Sequence, residues 1–183
     1  MANQHYEMRF GGSGGQGMML LGDVMAQAAG IKEGKEIVLL KSYGPEARGG
    51  ACRSELIIGT ETIDYPVLTH PDFVLAMSQL ACDQYTKDMD QEDGVLLVDK
   101  TLVKKVPDTV KHVYAIPLTE LAETTTGKII TANVVALGAI SVLSKGAAPE
   151  SVLQAALERF PAKVHEMNKK AFAAGEAAAK ALL

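Results

Sequence analysis

The first thirty residues show two different spacings of apolar side chains. Residues 5–10 alternate polar and apolar positions, which is the period of a β-strand. Residues 18–29 repeat apolar side chains every three or four positions, which is the period of a helix, and Gly30 is expected to end it. The residues between them are mostly glycine. The pattern predicts a strand, a tight loop and a helix, which is the opening unit of an α/β domain.

The remainder of the chain continues to alternate apolar runs with helical spacings. Short apolar runs between turn signals predict strands at residues 36–40, 51–58, 72–77, 95–98 and 109–116. Helical spacing predicts further helices at residues 79–89, 119–124, 128–145, 151–160 and from 161 onward. A turn at residues 59–62 predicts a hairpin between residues 51–58 and a short strand at 63–65. We therefore expect one domain over residues 1–183, a three-layer α/β/α sandwich with a mixed, mostly parallel sheet.

The glycine-rich loop at residues 11–17 leaves backbone N–H groups bare at the amino end of the first predicted helix. Part of it fits the dinucleotide fingerprint G-x-G-x-x-G, but the next strand ends in Lys41-Ser42 and lacks the acidic residue that holds a ribose. Three interpretations stay open: a turn for close helix–strand packing, a nicotinamide or flavin site, and a site for an anion or a partner's backbone. The candidate residues are Gly12, Ser13, Gly14, Gly15, Gln16 and Gly17.

A second glycine-rich segment follows the strand predicted at residues 36–40. Its turn signals flank side chains that can bond a ligand or a partner. Because both loops follow strands of a parallel sheet, both are expected at its carboxyl edge. Arg48 beside a helix amino end would favour an anion; alternatively, Arg48 pairs with Glu46 or with a partner's carboxylate. The candidate residues are Ser42, Tyr43, Gly44, Pro45, Glu46, Arg48, Gly49, Gly50 and Arg53.

The composition is that of a soluble globular protein without a membrane or nucleic-acid signal. Hydrophobic residues make up 48% of the chain, and the formal net charge of −4 comes without a basic block, which argues against nucleic acid as a partner. The apolar runs are too short to span a bilayer, and the first residues form no apolar signal region. Cys52 and Cys82 stand far apart, so we expect free thiols in a cytoplasmic protein.

The sequence lacks the common catalytic motifs. It contains no G-x-S-x-G, no P-loop pattern and no His or Cys set at metal-ligand spacing, so no catalytic residue and no metal ligand is expected. Cys52 beside Arg53 is a candidate for a lowered thiol pKa, although a cysteine on a strand more often serves packing. Asn133 lies inside an apolar predicted helix and must find a partner, either a loop backbone or a ligand.

Taken together, the two loops resemble the gamma subunit of the 2-oxoacid:ferredoxin (or acceptor) oxidoreductases. The resemblance rests on residues 11–17 followed by a helix, residues 42–50 leading into a strand, and residues 133–138 in the later helix. It runs over nearly the whole chain and implies the gamma-domain fold of pyruvate–ferredoxin oxidoreductase. The form of residues 42–50 looks most like the 2-oxoglutarate members.

The resemblance also implies partners and cofactors. Such complexes decarboxylate a 2-oxoacid with thiamine diphosphate and Mg²⁺, pass electrons through iron–sulfur clusters to ferredoxin, and use CoA as co-substrate. This chain has no thiamine motif and no cysteine cluster. The cofactors are therefore expected on alpha and beta subunits, with a delta subunit as a further partner, and the isolated chain is expected to be inactive, as a monomer or a homodimer. Its own implied role is to help form the CoA and substrate side of the active site.

Two other classes of function stay open at this point. A free-standing Rossmann-like oxidoreductase would bind a nucleotide on the loop at residues 12–17. A non-catalytic interaction module would use the two loops only as a contact surface for another enzyme.

Overall fold

The computed structural model describes residues 5–43 and 50–183, which form a six-stranded sheet with helices on both faces. The order of the strands in the sheet is β2-β3-β1-β4-β5-β6. β1, β4, β5 and β6 are parallel, whereas β3 is antiparallel to both of its neighbours, β1 and β2. The predicted α/β fold with a mixed, mostly parallel sheet is confirmed. The strands are β1 (His5–Ser13), β2 (Glu36–Tyr43), β3 (Ala51–Gly59), β4 (Phe73–Ala76), β5 (Val95–Asp99) and β6 (His112–Ile116).

The helices form two unequal layers. Alternation along β1 turns Met8 and Phe10 towards a large core shared with α1, α3, α4, α5 and α6, while Arg9 faces α2 on the opposite side. Among the described residues, no helix combines the length and the hydropathy that crossing a bilayer requires. The helices are α1 (Met18–Ala26), α2 (Gln79–Tyr85), α3 (Leu118–Thr126), α4 (Ala132–Leu143), α5 (Pro149–Arg159) and α6 (His165–Lys180).

The predicted strand at residues 63–65 is wrong. Residues 60–66 contain no strand, and the antiparallel partners of β3 are β1 and β2. Both edges of β3 are therefore occupied, so a third strand after residue 59 has no backbone groups left to pair with. The antiparallel hairpin partner of β3 is the strand before it, β2.

The first helix continues beyond its predicted end at Gly30. α1 passes directly into a π-helix, Gln27–Lys32, which contains Gly30 in its interior. Gly34, with φ +68°, makes the turn towards β2 instead, and its N–H donates to the carbonyl of Gly30 at 3.1 Å. The helix therefore ends where a left-handed residue is available and not at the first glycine.

The centre of the larger layer is the contact between α4 and α6. A Cβ atom added at Gly138 would lie 2.0 Å from the carbonyl oxygen of Phe172, and one added at Gly175 would lie 1.9 Å from that of Val135. Only glycine allows the two backbones to approach so closely. This contact fixes the position of the amino end of α4, which borders the candidate site.

A buried ion-pair cluster anchors the smaller layer. The Arg9 guanidinium donates to Glu55 Oε1 at 2.7 Å, to the carbonyl of Tyr85 at 3.1 Å and to Asp88 Oδ2 at 3.0 Å. Burial alone would raise the pKa of the Asp88 carboxyl, but the hydrogen bond and charge of Arg9 outweigh it and hold that pKa below its usual value. The cluster joins β1, β3 and the end of α2.

Candidate functional site

The described ends of both glycine-rich loops lie at the same edge of the sheet. Gly12 near the end of β1 and Tyr43 at the end of β2 both pair with Cys52, the second residue of β3, which lies between those two strands. Two strand spacings separate the loops, about 10 Å. The predicted residues Gly44, Pro45, Glu46, Arg48 and Gly49 lie outside the described residues, whereas Ser42, Tyr43 and Gly50 flank that gap.

The first loop is held in place by its glutamine. Gln16 Oε1 accepts from the backbone N–H of Ser13 at 2.6 Å, and Gln16 Nε2 donates to the carbonyl of Met77 at 2.8 Å, at the end of β4. Gln16 therefore positions the loop against the sheet edge. Gly14 and Gly15 are exposed, and a Cβ atom at either would meet nothing within 4 Å, so this backbone is open to an incoming group.

The loop ends at Gly17, which is the N-cap of α1. Its φ of +82° is left-handed, and in the described part of the chain no side chain caps the helix. A Cβ atom at Gly17 would lie 2.4 Å from Asn133 Nδ2 in the first turn of α4. Asn133 is therefore packed against the loop backbone, and it also lines a cavity beside the loop. The side chain of Asn133 therefore lies between the loop and the cavity, and whether its partner is the loop backbone or a ligand stays a prediction.

Two cavities flank the loop at Gly15. Cavity 1, of about 460 Å³, lies between the loop, the amino end of α4 and the amino end of α6, and Asn133, Lys128 and Phe160 are among its lining residues. Cavity 2, of about 510 Å³, lies between the loop, Met77 and Thr119. Gly15 and Ile130 line both cavities, and Ile130 is 74% exposed. Volumes of this size are typical of small-molecule sites.

Sequence reasoning missed Asn168, which also lines cavity 1. The residue is only 2% exposed, and its Nδ2 has no hydrogen-bond partner among the described residues. The signal was available, because Asn168 occupies the apolar face of α6 together with Ala171, Phe172 and Gly175. A polar residue on the buried stripe of an amphipathic helix calls for a partner.

Arg53, predicted beside the loops, pairs in the sheet with Gly11 and Ser42, and its side chain lies on the face of the sheet that carries α2. Its Nε lies 3.3 Å from Glu55 Oε1, and its guanidinium stacks 5.3 Å from the centre of the Tyr85 ring. It therefore stabilises the layer of α2. Burial raises the pKa of the neighbouring Cys52 thiol, which opposes the thiolate that a reactive cysteine needs.

The sheet order bears on the dinucleotide interpretation. In a Rossmann domain the second strand lies beside the first, and its end carries the acidic residue for the ribose. Here β3 lies between β1 and β2, and β2 ends in Lys41, Ser42 and Tyr43. The strand order and the missing carboxylate both disfavour a dinucleotide on the loop.

Comparison with known proteins identifies the relatives of this fold. A family model for pyruvate ferredoxin/flavodoxin oxidoreductase matches residues 7–178. The chain is 42% identical over 178 residues to the 2-oxoglutarate synthase subunit KorC of Methanocaldococcus jannaschii, covering 96% of this chain and 95% of that relative. It is similar to the keto/oxoacid ferredoxin oxidoreductase gamma subunit from Geobacter sulfurreducens, with 44% identity, a TM-score of 0.90 and 98% of each chain covered. It is also similar to 2-oxoglutarate:ferredoxin oxidoreductase from Magnetococcus marinus with 2-oxoglutarate, coenzyme A and succinyl-CoA bound, at 26% identity and a TM-score of 0.82, over 99% of this chain and 32% of that one.

Proposed function

Because this chain belongs to the pyruvate ferredoxin/flavodoxin oxidoreductase family, we propose that it is the gamma subunit of a 2-oxoglutarate:ferredoxin oxidoreductase. Such a complex oxidatively decarboxylates a 2-oxoacid to an acyl-CoA and passes the electrons to ferredoxin. The observation that carries the proposal is the 42% identity with KorC over nearly the full length of both chains. The Magnetococcus structure, in which the same fold is part of a longer chain, supports the choice of 2-oxoglutarate.

The redox cofactors do not fit this chain. An iron–sulfur cluster is held by four thiolates, and the sequence has two cysteines, both buried and free. Within residues 5–43 and 50–183, His, Cys, Asp and Glu form no group of three that could hold a metal ion. We therefore assign thiamine diphosphate, Mg²⁺ and the clusters to alpha and beta subunits, and to a delta subunit where the complex has one. Free thiols fit a cytoplasmic location for the complex.

Within the complex, the two loops contribute the CoA and acyl-substrate side of the active site. Three observations support this role: the open backbone at Gly14 and Gly15, the uncapped amino end of α1, and the exposed Tyr43 at the same sheet edge. A helix amino end favours an anion, which here is a phosphate of CoA or a carboxylate of the acyl substrate. Arg48 of the second loop supplies a cation for the same group.

Substitution of Arg48 tests this role in the reconstituted complex. Arg48→Ala should raise the KM for CoA about tenfold to a hundredfold, through the loss of about 1.5–3 kcal/mol from one charge-assisted contact, with assembly intact. Arg159→Ala is the matched control, because Arg159 is a partly exposed arginine near Asp23 on α1 and is not one of the predicted loop residues. An unchanged KM together with dissociation of the subunits on gel filtration would show that the loop is an interface instead.

A free-standing nucleotide-binding enzyme is the second candidate, and it has its own test. The family match and the strand order both disfavour it. Titration of the isolated chain with NADH, NADPH and FAD should show no micromolar binding. Tight binding of any of the three would revive this candidate and contradict the assignment as a gamma subunit.

A further inference from the structure

Cavity 1 is bordered by the amino ends of three helices. Gly17 precedes α1, Thr131 precedes α4 and Val164 precedes α6, and all three residues line the cavity. In the described part of the chain, none of these three N-caps makes a side-chain capping bond. Helix amino ends carry the positive end of the helix dipole and, where no turn precedes them, bare N–H groups. The 3-10 turns Ile129–Thr131 and Ala162–Val164 lead into α4 and α6 and accept from their first N–H groups, whereas α1 begins without such a turn. The bare N–H groups of α1 and the dipoles of all three helices favour an anion in the cavity.

The charged side chains near the cavity reinforce this preference. Lys128 lines the cavity, and its lining residues include no Asp or Glu. Glu166 in the first turn of α6 is exposed, and Lys169 Nζ donates to it at 2.8 Å. The surroundings of the cavity are therefore positive in a chain whose formal net charge is −4.

Asn168 provides an independent indication of a ligand. Asn168 is one of the residues that line cavity 1, is almost completely buried, and has an Nδ2 without a partner in the described residues. A buried donor without a partner costs about 1–3 kcal/mol. An oxygen atom of a bound group would satisfy it and recover this cost.

Most residues that line the cavity are apolar, so the part of the ligand away from its negative charge should be apolar as well. No arginine lines it, so its one lysine and neutral amides match a single negative charge better than a dianionic phosphate. We propose that cavity 1 binds a small amphipathic carboxylate, with the apolar body on the walls and the carboxylate towards Lys128 and the helix amino ends. The site belongs to the single chain. It shares the amino end of α1 with the proposed CoA contact and goes beyond that contact through Lys128, Asn168 and the apolar walls. The apolar lining residues are Leu20, Ile130, Val134, Phe160, Val164 and Met167.

Decanoate is a suitable probe, measured by isothermal titration calorimetry on the isolated full chain. Decanoate should bind at one site, and decan-1-ol should bind at least tenfold more weakly because it lacks the charge. Val164→Phe, which fills the cavity from a half-buried position, should abolish binding. Val67→Phe on an exposed segment is the matched control and should leave it unchanged.

Two further variants separate the polar contributions. Asn168→Leu should weaken decanoate binding about tenfold, the equivalent of one hydrogen bond to a charged group, and should not lower the melting temperature, because it removes a buried donor without a partner. Lys128→Gln should weaken binding about threefold, whereas Lys170→Gln, at an exposed position outside the lining, should not.

Three results would overturn the proposal. They are equal affinities for decanoate and decan-1-ol, undiminished binding to both Val164→Phe and Asn168→Leu, and complete displacement of decanoate by CoA. The last result would assign the cavity to the proposed CoA site. An unchanged KM for CoA in the Arg48→Ala complex would leave this site untouched, so the two proposals fail separately.

Discussion

Three glycines of the first loop are required for different reasons. Gly14 has no positive φ and open space around its Cβ position, so the lack of a side chain there only leaves the backbone accessible. Gly15 has a φ of +91° in open space, which is a purely conformational requirement. Gly17 combines a φ of +82° with the close approach of Asn133 Nδ2. One sequence pattern therefore contains three separable physical constraints.

Alanine substitutions at these glycines should form a graded series in stability. Gly14→Ala should change the free energy of unfolding by less than about 0.5 kcal/mol. Gly15→Ala should cost about 1–2 kcal/mol because alanine is strained in the left-handed region. Gly17→Ala should cost about 2–4 kcal/mol, since the displacement of Asn133 adds to that strain. Urea unfolding measures all three, and equal losses at Gly15 and Gly17 would show that the Asn133 contact is not tight.

Local sequence patterns predict which face of a strand a residue occupies, but they do not predict which distant residue it contacts. Alternation along β3 places Ser54, which donates to the carbonyl of Met18 in α1, on one face and Glu55, which accepts from Arg9, on the other. The partner of Gln16 could not be predicted, because Met77 lies 61 positions away and arrives through the parallel pairing of β4 with β1. For the same reason the contact of Arg53 with Tyr85 of α2 could not be predicted.

At the scale of elements, a salt-bridge cluster holds α2 on the sheet, and its contribution depends on pH. Because Arg9 lowers the pKa of Asp88 in the folded state, the pair stabilises the fold fully above the ordinary pKa of aspartate, about 4. That stabilisation is lost as the pH falls through the lowered folded pKa. Asp88→Asn should therefore be less stable than the wild type at pH 7, and the difference should shrink towards pH 3.

Urea unfolding between pH 7 and pH 3 measures this effect. Asp93→Asn is a suitable control, since Asp93 is exposed in the turn before β5 and the structure shows no salt bridge for it in the described residues. A constant difference between the wild type and Asp88→Asn over this range would show that the carboxylate form of Asp88 does not contribute to stability.

The packing of α4 on α6 is the most sensitive element contact. A Cβ atom at Gly175 would overlap the carbonyl oxygen of Val135, and neither backbone can move without displacing the core. Gly175→Ala should therefore lower the free energy of unfolding by about 3 kcal/mol or more, against its favourable helix propensity. Ala173→Gly on the exposed face of α6 should cost only about 1 kcal/mol. Chemical unfolding compares the two, and a neutral Gly175→Ala would mean that the helices separate easily.

The existence of the elements could be predicted from apolar spacing, but some of their ends and pairings could not. Helix and strand spacings place every strand of the sheet close to its predicted range. The strand predicted at residues 63–65 failed because a local turn signal does not reveal that β1 and β2 occupy both edges of β3. The π-helix at Gln27–Lys32 was missed because the sequence pattern predicts the end of the helix at Gly30. The glycine with a left-handed backbone, which makes the turn, is Gly34.

At the scale of the whole molecule, the strand order brings the ends of two loops that are far apart in the sequence to the same edge of the sheet. Insertion of β3 between β1 and β2 places the two loop ends on either side of its first residues. This arrangement could not be predicted from spacing, because it depends on pairings between segments that are far apart in the sequence. The cavities, Ile129 and Ile130 lie at the same edge, and these isoleucines are 54% and 74% exposed. A subunit of a larger complex is expected to cover such a surface.

Ile130 should therefore contribute to assembly with the partner subunits. Burial of an isoleucine side chain contributes about 1.5–3 kcal/mol, so Ile130→Asp should weaken association about tenfold to a hundredfold or more. Ile31→Asp is the matched control, because Ile31 is 76% exposed in the π-helix near the start of β2, at the opposite end of that strand from the loops. Both substitutions replace an exposed isoleucine, so both isolated chains should keep the wild-type melting temperature within a few degrees.

Native mass spectrometry of complexes reconstituted at decreasing concentration measures the association. Equal weakening by both substitutions would attribute the effect to charge alone, and no weakening by Ile130→Asp would place the interface elsewhere.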